Sequence, residues 1–451
     1  MYFRVIFVTK SMTEGKPLKL ILQFAVPLLL GNLLQQMYNL VDAAIVGRVL
    51  GTGALAAVGA TSSVQFLVLG FCIGICIGFG IPIAKSFGAE RLDKMRSYIF
   101  NSVLLTALFA VLITAVCSLC CTLILQMLSV PQDVFDDAYA YLIVIFLGIP
   151  FTLLYNLLSS ILRSVGDSRT PFLFLAISTV LNIGLDLLCI IVFKWGVAGA
   201  AWATVIAQYF SGLGLAVFTL RRCPDLLPKR EELRFDAALL REIFSLSSLT
   251  CVQQSVMNFG ILMVQGLVNS FGETVMAAFA AAVKIDTFAY LPVQDFGNAY
   301  STFTAQNYGA GNHERIRRGT KDAFALSAAF SIVISLLVNL FAHPLMQIFV
   351  KASEMEVIAI GVQYLRLEGS FYLGIGWLFL LYGYYRAVKR AEMSVVLTVI
   401  SLGMRVALAY LFSATALGVA GIWIAIPIGW ALADMTGLFF LRRAFRSQKP
   451  A

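Results

Sequence analysis

The chain has 451 residues, of which 60% are hydrophobic and 13% are charged, whereas a typical soluble domain is roughly 25% charged. This composition excludes a soluble globular protein and predicts an integral membrane protein of the all-α class. The net charge of +9 comes mainly from basic residues beside apolar segments, so it predicts membrane orientation and no nucleic-acid partner.

Twelve apolar segments are long enough to cross a bilayer as helices. They fall near 18–46, 54–84, 97–127, 138–163, 170–193, 197–220, 243–270, 275–305, 320–348, 357–388, 391–413 and 418–441. Of the 33 basic residues, 27 lie in alternate connections on one side, three on the other side and three within spans. This bias predicts an inner-membrane protein with both termini in the cytoplasm.

Two loops of the chain resemble each other. Ala84–Arg96 (AKSFGAERLDKMR) aligns without gaps on Ala305–Arg317 (AQNYGAGNHERIR), and GVAG occurs at both 196–199 and 418–421. Because each half holds an even number of spans, both halves enter the membrane in the same sense. We therefore predict two pseudo-symmetric six-helix lobes facing each other across a cleft. The predicted parts are the N-lobe at 18–220, a tether-like linker at 221–242, the C-lobe at 243–441, and cytoplasmic termini at 1–17 and 442–451.

Span 1 carries an acid at membrane depth. Asp42 follows a stripe of amides on the same helical face, formed by Asn32, Gln35 and Asn39. A charge at this depth is unfavourable unless it faces protein or water, so Asp42 is a candidate functional residue. The alternative for the amides is hydrogen bonding to a neighbouring helix. Pro27 lacks a backbone donor and predicts a hinge near the start of the span.

Spans 5 and 6 supply further oxygen ligands. Asn182 and Asp186 are one turn apart on span 5, and Thr204 lies on span 6. With Asp42 they form an all-oxygen set that suits a hard cation and does not suit a transition metal. Two acids in a poorly hydrated site repel each other, so the same set can bind H⁺ instead of Na⁺. The sequence does not choose between these ions, and acids that only hydrogen-bond remain an alternative.

Span 4 and the second half carry more polar residues. Tyr141 and Asn156 on span 4 predict a polar wall, kinked near Pro150, with simple packing as the alternative. The charges of the second half are expected to pair across helices. A transport role is an equal alternative for Lys284, Asp295 and Arg405, whereas pairing alone is expected for Arg366. The second-half charges are Lys284, Asp286 and Asp295 on span 8, Arg366 and Glu368 on span 10, and Arg405 at the position equivalent to Asn182.

Three motifs are distinctive: PLLLGNLLQQMYNLVDAAIVGRVLG in span 1, RSVGDSRTP after span 4 and AQNYGAG after span 8. With the twelve spans and the duplicated loops, they resemble the multidrug and toxic compound extrusion (MATE) transporters over essentially the whole chain. The resemblance implies a V-shaped 6+6 antiporter that exports organic cations in exchange for Na⁺ or H⁺. It implies a cation site at Asp42, Asn182, Asp186 and Thr204. Some members have a second acidic site on helices 7 and 10, where this chain has Gln253, Gln254 and Glu368.

The expected function is multidrug efflux by a monomer that binds small drug-like molecules and membrane lipids, with the coupling ion and no other cofactor. Residues expected to line the substrate cavity are Gln35, Tyr38, Asn39, Tyr141, Asn156, Lys284, Asp295, Glu368 and Arg405. The alternative is a flippase or exporter of lipid-linked or anionic substrates, for which Lys284 and Arg405 supply positive charge.

Other classes of function have less support. An intramembrane enzyme is not expected, because no nucleophile accompanies a base in the sequence. A channel is disfavoured because a duplicated bundle with acids at membrane depth suits alternating access. No metal site beyond a possible Na⁺ is expected, since six of the eight cysteines lie in apolar runs without a nearby histidine.

Overall fold

A computed structural model describes residues 11–128 and 130–447 of the chain. Within these ranges the chain is almost entirely helical and contains no β-strand, which confirms the all-α class. The predicted cytoplasmic ends at 1–17 and 442–451 lie partly outside the described residues. Arg4, Lys10 and Lys449, which contribute to the predicted charge bias, also lie outside them.

The first half of the described chain contains eight α-helices. They are α1 (Pro17–Val49), α2 (Thr52–Gly88), α3 (Leu92–Leu119), α4 (Cys121–Met127), α5 (Gln132–Leu147), α6 (Ile149–Ser164), α7 (Arg169–Leu187) and α8 (Gly196–Arg222). Helices α5 and α6 are bent by 43° relative to each other. Pro150 is the second residue of α6, where a helix tolerates proline because no backbone donor is needed. The kink predicted near Pro150 is therefore confirmed.

The second half of the described chain also contains eight α-helices. They are α9 (Ala237–Asn269), α10 (Glu273–Gly309), α11 (His313–Gln347), α12 (Met355–Gly369), α13 (Tyr372–Ala387), α14 (Ala391–Thr398), α15 (Met404–Ser413) and α16 (Gly418–Ser447). A π-helical turn follows α7 at Leu188–Val192, and another joins α14 to α15 at Val399–Gly403. Such turns insert a residue into the helix and often occur at functional sites.

The two halves repeat the same order of helices. Helices α1 and α9 both have 33 residues, and α2 and α10 both have 37. The break between α5 and α6 falls at Gly148, and the break between α12 and α13 includes Phe371. These two positions are equivalent in the offset that aligns Arg163 with Arg386. The shared helix order confirms the duplication predicted from the loops.

Most of the predicted spans correspond to helices that can cross a membrane. Ten helices of the described chain are long and apolar enough, and the bent pair α5–α6 makes an eleventh. The predicted span at 357–388 is present as α12 and α13, with 15 and 16 residues. Each is shorter than the ~20 residues of a straight span. The protein is therefore a multi-pass integral membrane protein whose second half has one interrupted span.

The chain forms two compact units. The first comprises Val26–Cys251, and the second comprises Met12–Ala25 together with the chain from Val252 onward. These units differ from the predicted lobes, because α1 and α9 each contribute their first turns to one unit and the remainder to the other. In α1 the division falls between Ala25 and Val26, one residue before Pro27. The division lies beside a proline, which lacks the backbone N–H that a regular helix uses for a hydrogen bond. A hinge at Pro27 stays a prediction.

Specific contacts explain why the first turns of these helices change unit. Within the second unit, the Met12 N–H donates to Gln306 Oε1 (2.8 Å), and the Met12 carbonyl accepts from Asn307 Nδ2 (3.1 Å). Within the first unit, Ser247 Oγ donates to the Ile75 carbonyl (3.2 Å). Met12, five residues before α1, and Ser247 of α9 thus form hydrogen bonds within the unit that each segment joins.

The linker between the halves is docked on the first unit. The buried Arg96 of α3 donates from Nε to the Asp225 carbonyl (2.8 Å) and from Nη1 to Glu232 Oε1 (3.2 Å). Asn101 Nδ2 donates to the Arg234 carbonyl (3.3 Å). The Asp236 N–H donates to Asn101 Oδ1 (3.3 Å), and the Tyr98 hydroxyl donates to Glu242 Oε2 (2.5 Å). Among the described residues, five side-chain hydrogen bonds thus hold the predicted tether against the N-terminal part of α3.

Arg96→Ala should loosen the part of this linker around Asp225 and Glu232, because it removes the ion pair with Glu232 and the bond to the Asp225 carbonyl. We expect faster tryptic cleavage after Lys229 and Arg230 in limited proteolysis of the purified protein. Arg91→Ala is the matched control, since Arg91 is exposed and should leave the rate unchanged. Equal cleavage rates in the Arg96 variant and the control would show that the linker is held by other contacts.

Candidate functional site

Two acids of the first unit lie side by side within membrane-spanning helices. Asp42 of α1 and Asp186 of α7 are close enough to share a hydrogen bond, and both are buried. In the amide orientation that pairs donors with acceptors, Asn182 donates to Asp186 Oδ2 (3.0 Å) and accepts from the Thr204 backbone N–H (3.1 Å). The structure thus brings together the four residues predicted to bind a cation.

A close approach of α7 and α8 makes this arrangement possible. Ala200, Ala203 and Ala207 of α8 are buried, and small residues allow helices in a membrane to approach closely. Ser178 of α7 donates from Oγ to the Ala207 carbonyl (2.8 Å) and ties the two helices together one turn below Asn182. The short distance between the helices places Thr204 beside Asn182.

Tyrosines form one side of the acid pair. The Tyr38 hydroxyl and Thr204 Oγ1 are 2.8 Å apart, and the Tyr141 ring is buried with its hydroxyl close to both Asp42 and Gln65. Gln65 in turn donates to Thr61 Oγ1 (3.3 Å). These neutral groups contribute oxygens to the surroundings of the acids without adding a balancing positive charge.

The acid pair has the chemistry of a site for Na⁺ or H⁺. Asp42 Oδ1 and Asp186 Oδ1 are buried and have no hydrogen-bond partner among the described residues. Buried carboxylates without a balancing charge are strongly unfavourable. A proton shared between the acids, or a hard cation held by carboxylate and hydroxyl oxygens, provides that balance. The residues present therefore fit the predicted ion.

The other predicted cavity residues of the first unit do not all join this cluster. Gln35 and Asn39 are exposed on α1, about two turns and one turn before Asp42, respectively. Asn156 is half-buried and donates to the Thr152 carbonyl of its own helix (2.8 Å). Substrate contact by these residues stays a prediction.

A second charge cluster lies within the second unit. Asp286 of α10 and Glu368 of α12 interact electrostatically with each other and with Arg405 of α15. Tyr372, the first residue of α13, lies beside Asp286, and Tyr364 lies beside Glu368. The interruption between α12 and α13 therefore places an acid and a tyrosine on either side of a break within the membrane.

Three of the predicted second-half charges lie elsewhere. Lys284 is exposed and lies over the ring of Phe349, 5.8 Å from its centroid. Asp295 is buried on α10, about 13 Å along the helix axis from Asp286 at 1.5 Å per residue. Arg366 was expected to pair with an acid, but it is exposed. In the part of the chain that the structure describes, no carboxylate forms an ion pair with Arg366, because its position on α12 faces outward.

Sequence reasoning missed two acids as site residues. Asp286 is one of the second-half charges, but its position in the sequence does not show that it lies beside Arg405 and Glu368. Asp434 of α16 is 7% exposed, and its Oδ1 has no hydrogen-bond partner among the described residues. Both lie within apolar spans, so the rule that identified Asp42 applies equally to them.

Comparison with known proteins identifies the family. The family model described as MatE matches residues 27–188 and again 250–411. A relative in Bacillus subtilis, "Probable multidrug resistance protein YpnP", is 31% identical over 95% of this chain and 96% of its own length. The "FAD transporter" of Shewanella oneidensis is 24% identical over 73% of this chain and 74% of its own length.

Solved structures show the same fold. One described as the "Outward-facing conformation of a multidrug resistance MATE family transporter of the MOP superfamily" has a TM-score of 0.91 and 24% identity. The alignment covers 98% of both chains. The double match of the family model also coincides with the two halves found in the helix order. The chain therefore belongs to the MatE family, the multidrug and toxic compound extrusion transporters.

Proposed function

We propose that the protein is a secondary active transporter that exports organic cations in exchange for Na⁺ or H⁺. The coupling ion binds at Asp42, Asn182, Asp186 and Thr204. The observation that carries this proposal is the contact between Asp42 and Asp186 inside membrane-spanning helices. Two carboxylates in contact need a proton or a cation between them, so the site changes its net charge when the ion leaves.

Ion and substrate compete through a shared conformational change in this proposal. An ion that stabilises one conformation and a substrate that stabilises the other are antagonistic by linkage. The polar face of α1 carries exposed Gln35 and Asn39, about two turns and one turn from Asp42, where they can contact substrate. Tyr38, Tyr141 and Asn156 contribute further contacts, and α1 bends at Pro27 during alternating access. The protein acts as a monomer in the inner membrane with both termini in the cytoplasm.

Uptake into inside-out membrane vesicles tests the coupling ion and the charge of the substrate together. Na⁺ and H⁺ gradients are imposed separately, and a panel of cationic and anionic dyes is followed by fluorescence. We expect cationic dyes to accumulate under one of the two gradients and to leave when that gradient is collapsed. Vesicles without the protein are the control. Dye accumulation that is the same with and without each gradient would rule out antiport with Na⁺ or H⁺.

Export of an anionic substrate is the second candidate. Lys284 is exposed and carries a positive charge in the second half of the chain, and the relative in Shewanella oneidensis is named an FAD transporter. Arg405 is a second basic residue of the same half, and it lies beside Asp286 and Glu368. This candidate predicts that anionic dyes accumulate in the same vesicles and that cationic dyes do not compete with them.

A further inference from the structure

The end of α10 and the first turn of α11 bind the backbone of the segment that precedes α1. The Met12 N–H donates to Gln306 Oε1 (2.8 Å). The Met12 carbonyl accepts from both Asn307 Nδ2 (3.1 Å) and Arg315 Nη2 (3.2 Å). All three bonds reach the main chain of one residue. We call Gln306, Asn307 and Arg315 the latch site.

The groups of the latch site are held in place by their own unit. Gln306 and Asn307 are 0% exposed, and Asn307 Nδ2 also donates to the Phe303 carbonyl (2.8 Å). The Arg315 guanidinium lies over the Phe303 ring, 5.7 Å from its centroid. Donors and acceptors that are fixed in advance bind a partner with a smaller loss of entropy. The site is therefore organised to bind a peptide group.

The bound segment is buried at one residue and exposed around it. Met12 is 2% exposed, whereas Ser11, Glu14 and Lys16 are exposed. Gly15 has φ +87°, a conformation that glycine adopts at little cost, and it turns the chain between Met12 and the start of α1. A glycine turn thus separates the docked residue from the helix, so Met12 can move without a change in α1.

The linker before α9 is held differently. Its contacts with α3 are spread along the chain from Asp225 to Glu242, and they include the ion pair between Arg96 and Glu232. Loss of one of these contacts leaves the others in place. The bonds to Met12 converge on one residue, so they break together when that residue leaves. The segment before α1 is therefore the one that can detach as a unit.

The chemistry of the latch site also favours reversible release. The contacts of the Met12 main chain involve no acid, and the nearby turn residues Gly311, Asn312 and His313 are exposed. Water can replace hydrogen bonds of this kind at an exposed turn. Transfer of the Met12 side chain into water opposes release and keeps the segment docked most of the time. Both the docked and the released arrangements are thus accessible.

We propose that residues 11–16 form a releasable latch, which is closed in this structure. Met12 leaves the latch site and returns to it while the helices stay folded. Met12–Ala25 belongs to the second unit and α1 from Val26 onward to the first, so the closed latch restrains the start of α1 and the open latch removes this restraint. The proposal does not depend on the proposed function, because opening is measured without substrate or gradient.

Thiol labelling of the purified full chain tests the proposal. Met12→Cys keeps the backbone bonds and places a thiol that is buried while the latch is closed. Lys16→Cys supplies an exposed reference. With a maleimide and mass spectrometry of the peptides, we expect the thiol of Met12→Cys to react completely but roughly tenfold more slowly than the reference, because it reacts only after opening. The native Cys76, which is 1% exposed, should stay unlabelled over the same time.

Three results of this experiment would overturn the proposal. No reaction of the Met12→Cys thiol while the reference reacts fully would mean that the segment never releases. Reaction at the rate of the reference would mean that it is not docked. Labelling of Cys76 together with the Met12→Cys thiol would mean that the whole unit opens.

Variants of the latch site test whether its bonds hold the segment. In the Met12→Cys chain, Asn307→Ala or Arg315→Ala should raise the labelling rate toward that of the reference, since each removes a donor to the Met12 carbonyl. Arg317→Ala is the matched control, because Arg317 is exposed on the same turn of α11 and should leave the rate unchanged. Arg315 is half-buried, so its variant remains usable if Asn307→Ala does not fold. An unchanged rate in Arg315→Ala would contradict the latch site.

Hydrogen exchange of the chain with its native Met12 checks that the cysteine has not created the opening. We expect the Met12 N–H to exchange more slowly than in Gln306→Ala, which lacks its acceptor, and faster than the N–H groups within α10. Equal exchange of Met12 with and without Gln306 would show that this bond is not formed. Exchange as slow as that of α10 would show a permanent anchor.

Discussion

Asp42→Asn is expected to abolish ion-coupled export while the protein still reaches the membrane in normal amounts. The amide has the size of the acid and can still hydrogen-bond Asp186, so the packing of α1 against α7 is retained. It cannot lose a proton or balance a cation, and the change in net charge that couples the ion to transport disappears. Dye accumulation in inside-out vesicles should fall to the level of vesicles without the protein.

The control for this variant is Asp133→Asn. Asp133 is exposed in the first turn of α5, and its replacement should leave both accumulation and the amount of protein in the membrane unchanged. Asp186→Asn should resemble Asp42→Asn, and the double variant should show no further loss, because the two acids act as one unit. Gradient-driven accumulation by Asp42→Asn would remove Asp42 from the coupling site.

Gly429→Ala should strongly destabilise the second unit. A Cβ at this position would collide with the backbone carbonyl of Ser401 and approach Arg405 Cβ to 3.3 Å. A backbone atom cannot move aside as a flexible side chain can, so α15 and α16 must separate. Overpacking of this kind costs about 1–3 kcal/mol, and it outweighs the ~0.5–1 kcal/mol that alanine normally gains over glycine in a helix. The apparent Tm in detergent should fall accordingly.

Gly266→Ala is the matched control for this variant. Gly266 lies within α9, and no atom lies within 4 Å of the position that an added methyl group would occupy, so alanine should keep or slightly raise the apparent Tm. An apparent Tm that is equal in the two variants would show that α16 can move away from Ser401 without loss.

Hydrophobic runs and charge patterns predicted the parts of this fold that depend on local sequence. Twelve apolar segments, the all-α class and the kink near Pro150 follow from residues close together in the chain, and the duplication follows from matching loops. The interruption between α12 and α13 was not predicted, since Ser370 and Phe371 differ little from the residues around them.

The first-half site was predicted largely from a general rule about charge in membranes. Asp42, Asn182 and Asp186 stand out because acids and amides are rare in apolar spans. The same rule identifies Asp286 and Asp434 as unusual residues in apolar spans. It does not distinguish side chains that face another helix from side chains that face outward. Arg366 shows this limit, since its expected ion pair is absent from the described chain and its side chain is exposed.

The sequence by itself determined that this protein is a duplicated bundle of membrane helices with acids at membrane depth, because periodicity and composition are local properties. Only the tertiary structure decided which of these acids meet. Asp42 and Asp186 lie 144 positions apart in the chain, and Asp286, Glu368 and Arg405 lie on three separate helices. Side chains so distant in sequence come together through the packing of helices, which depends on small residues such as Ala203 and Gly429 at the points of closest approach.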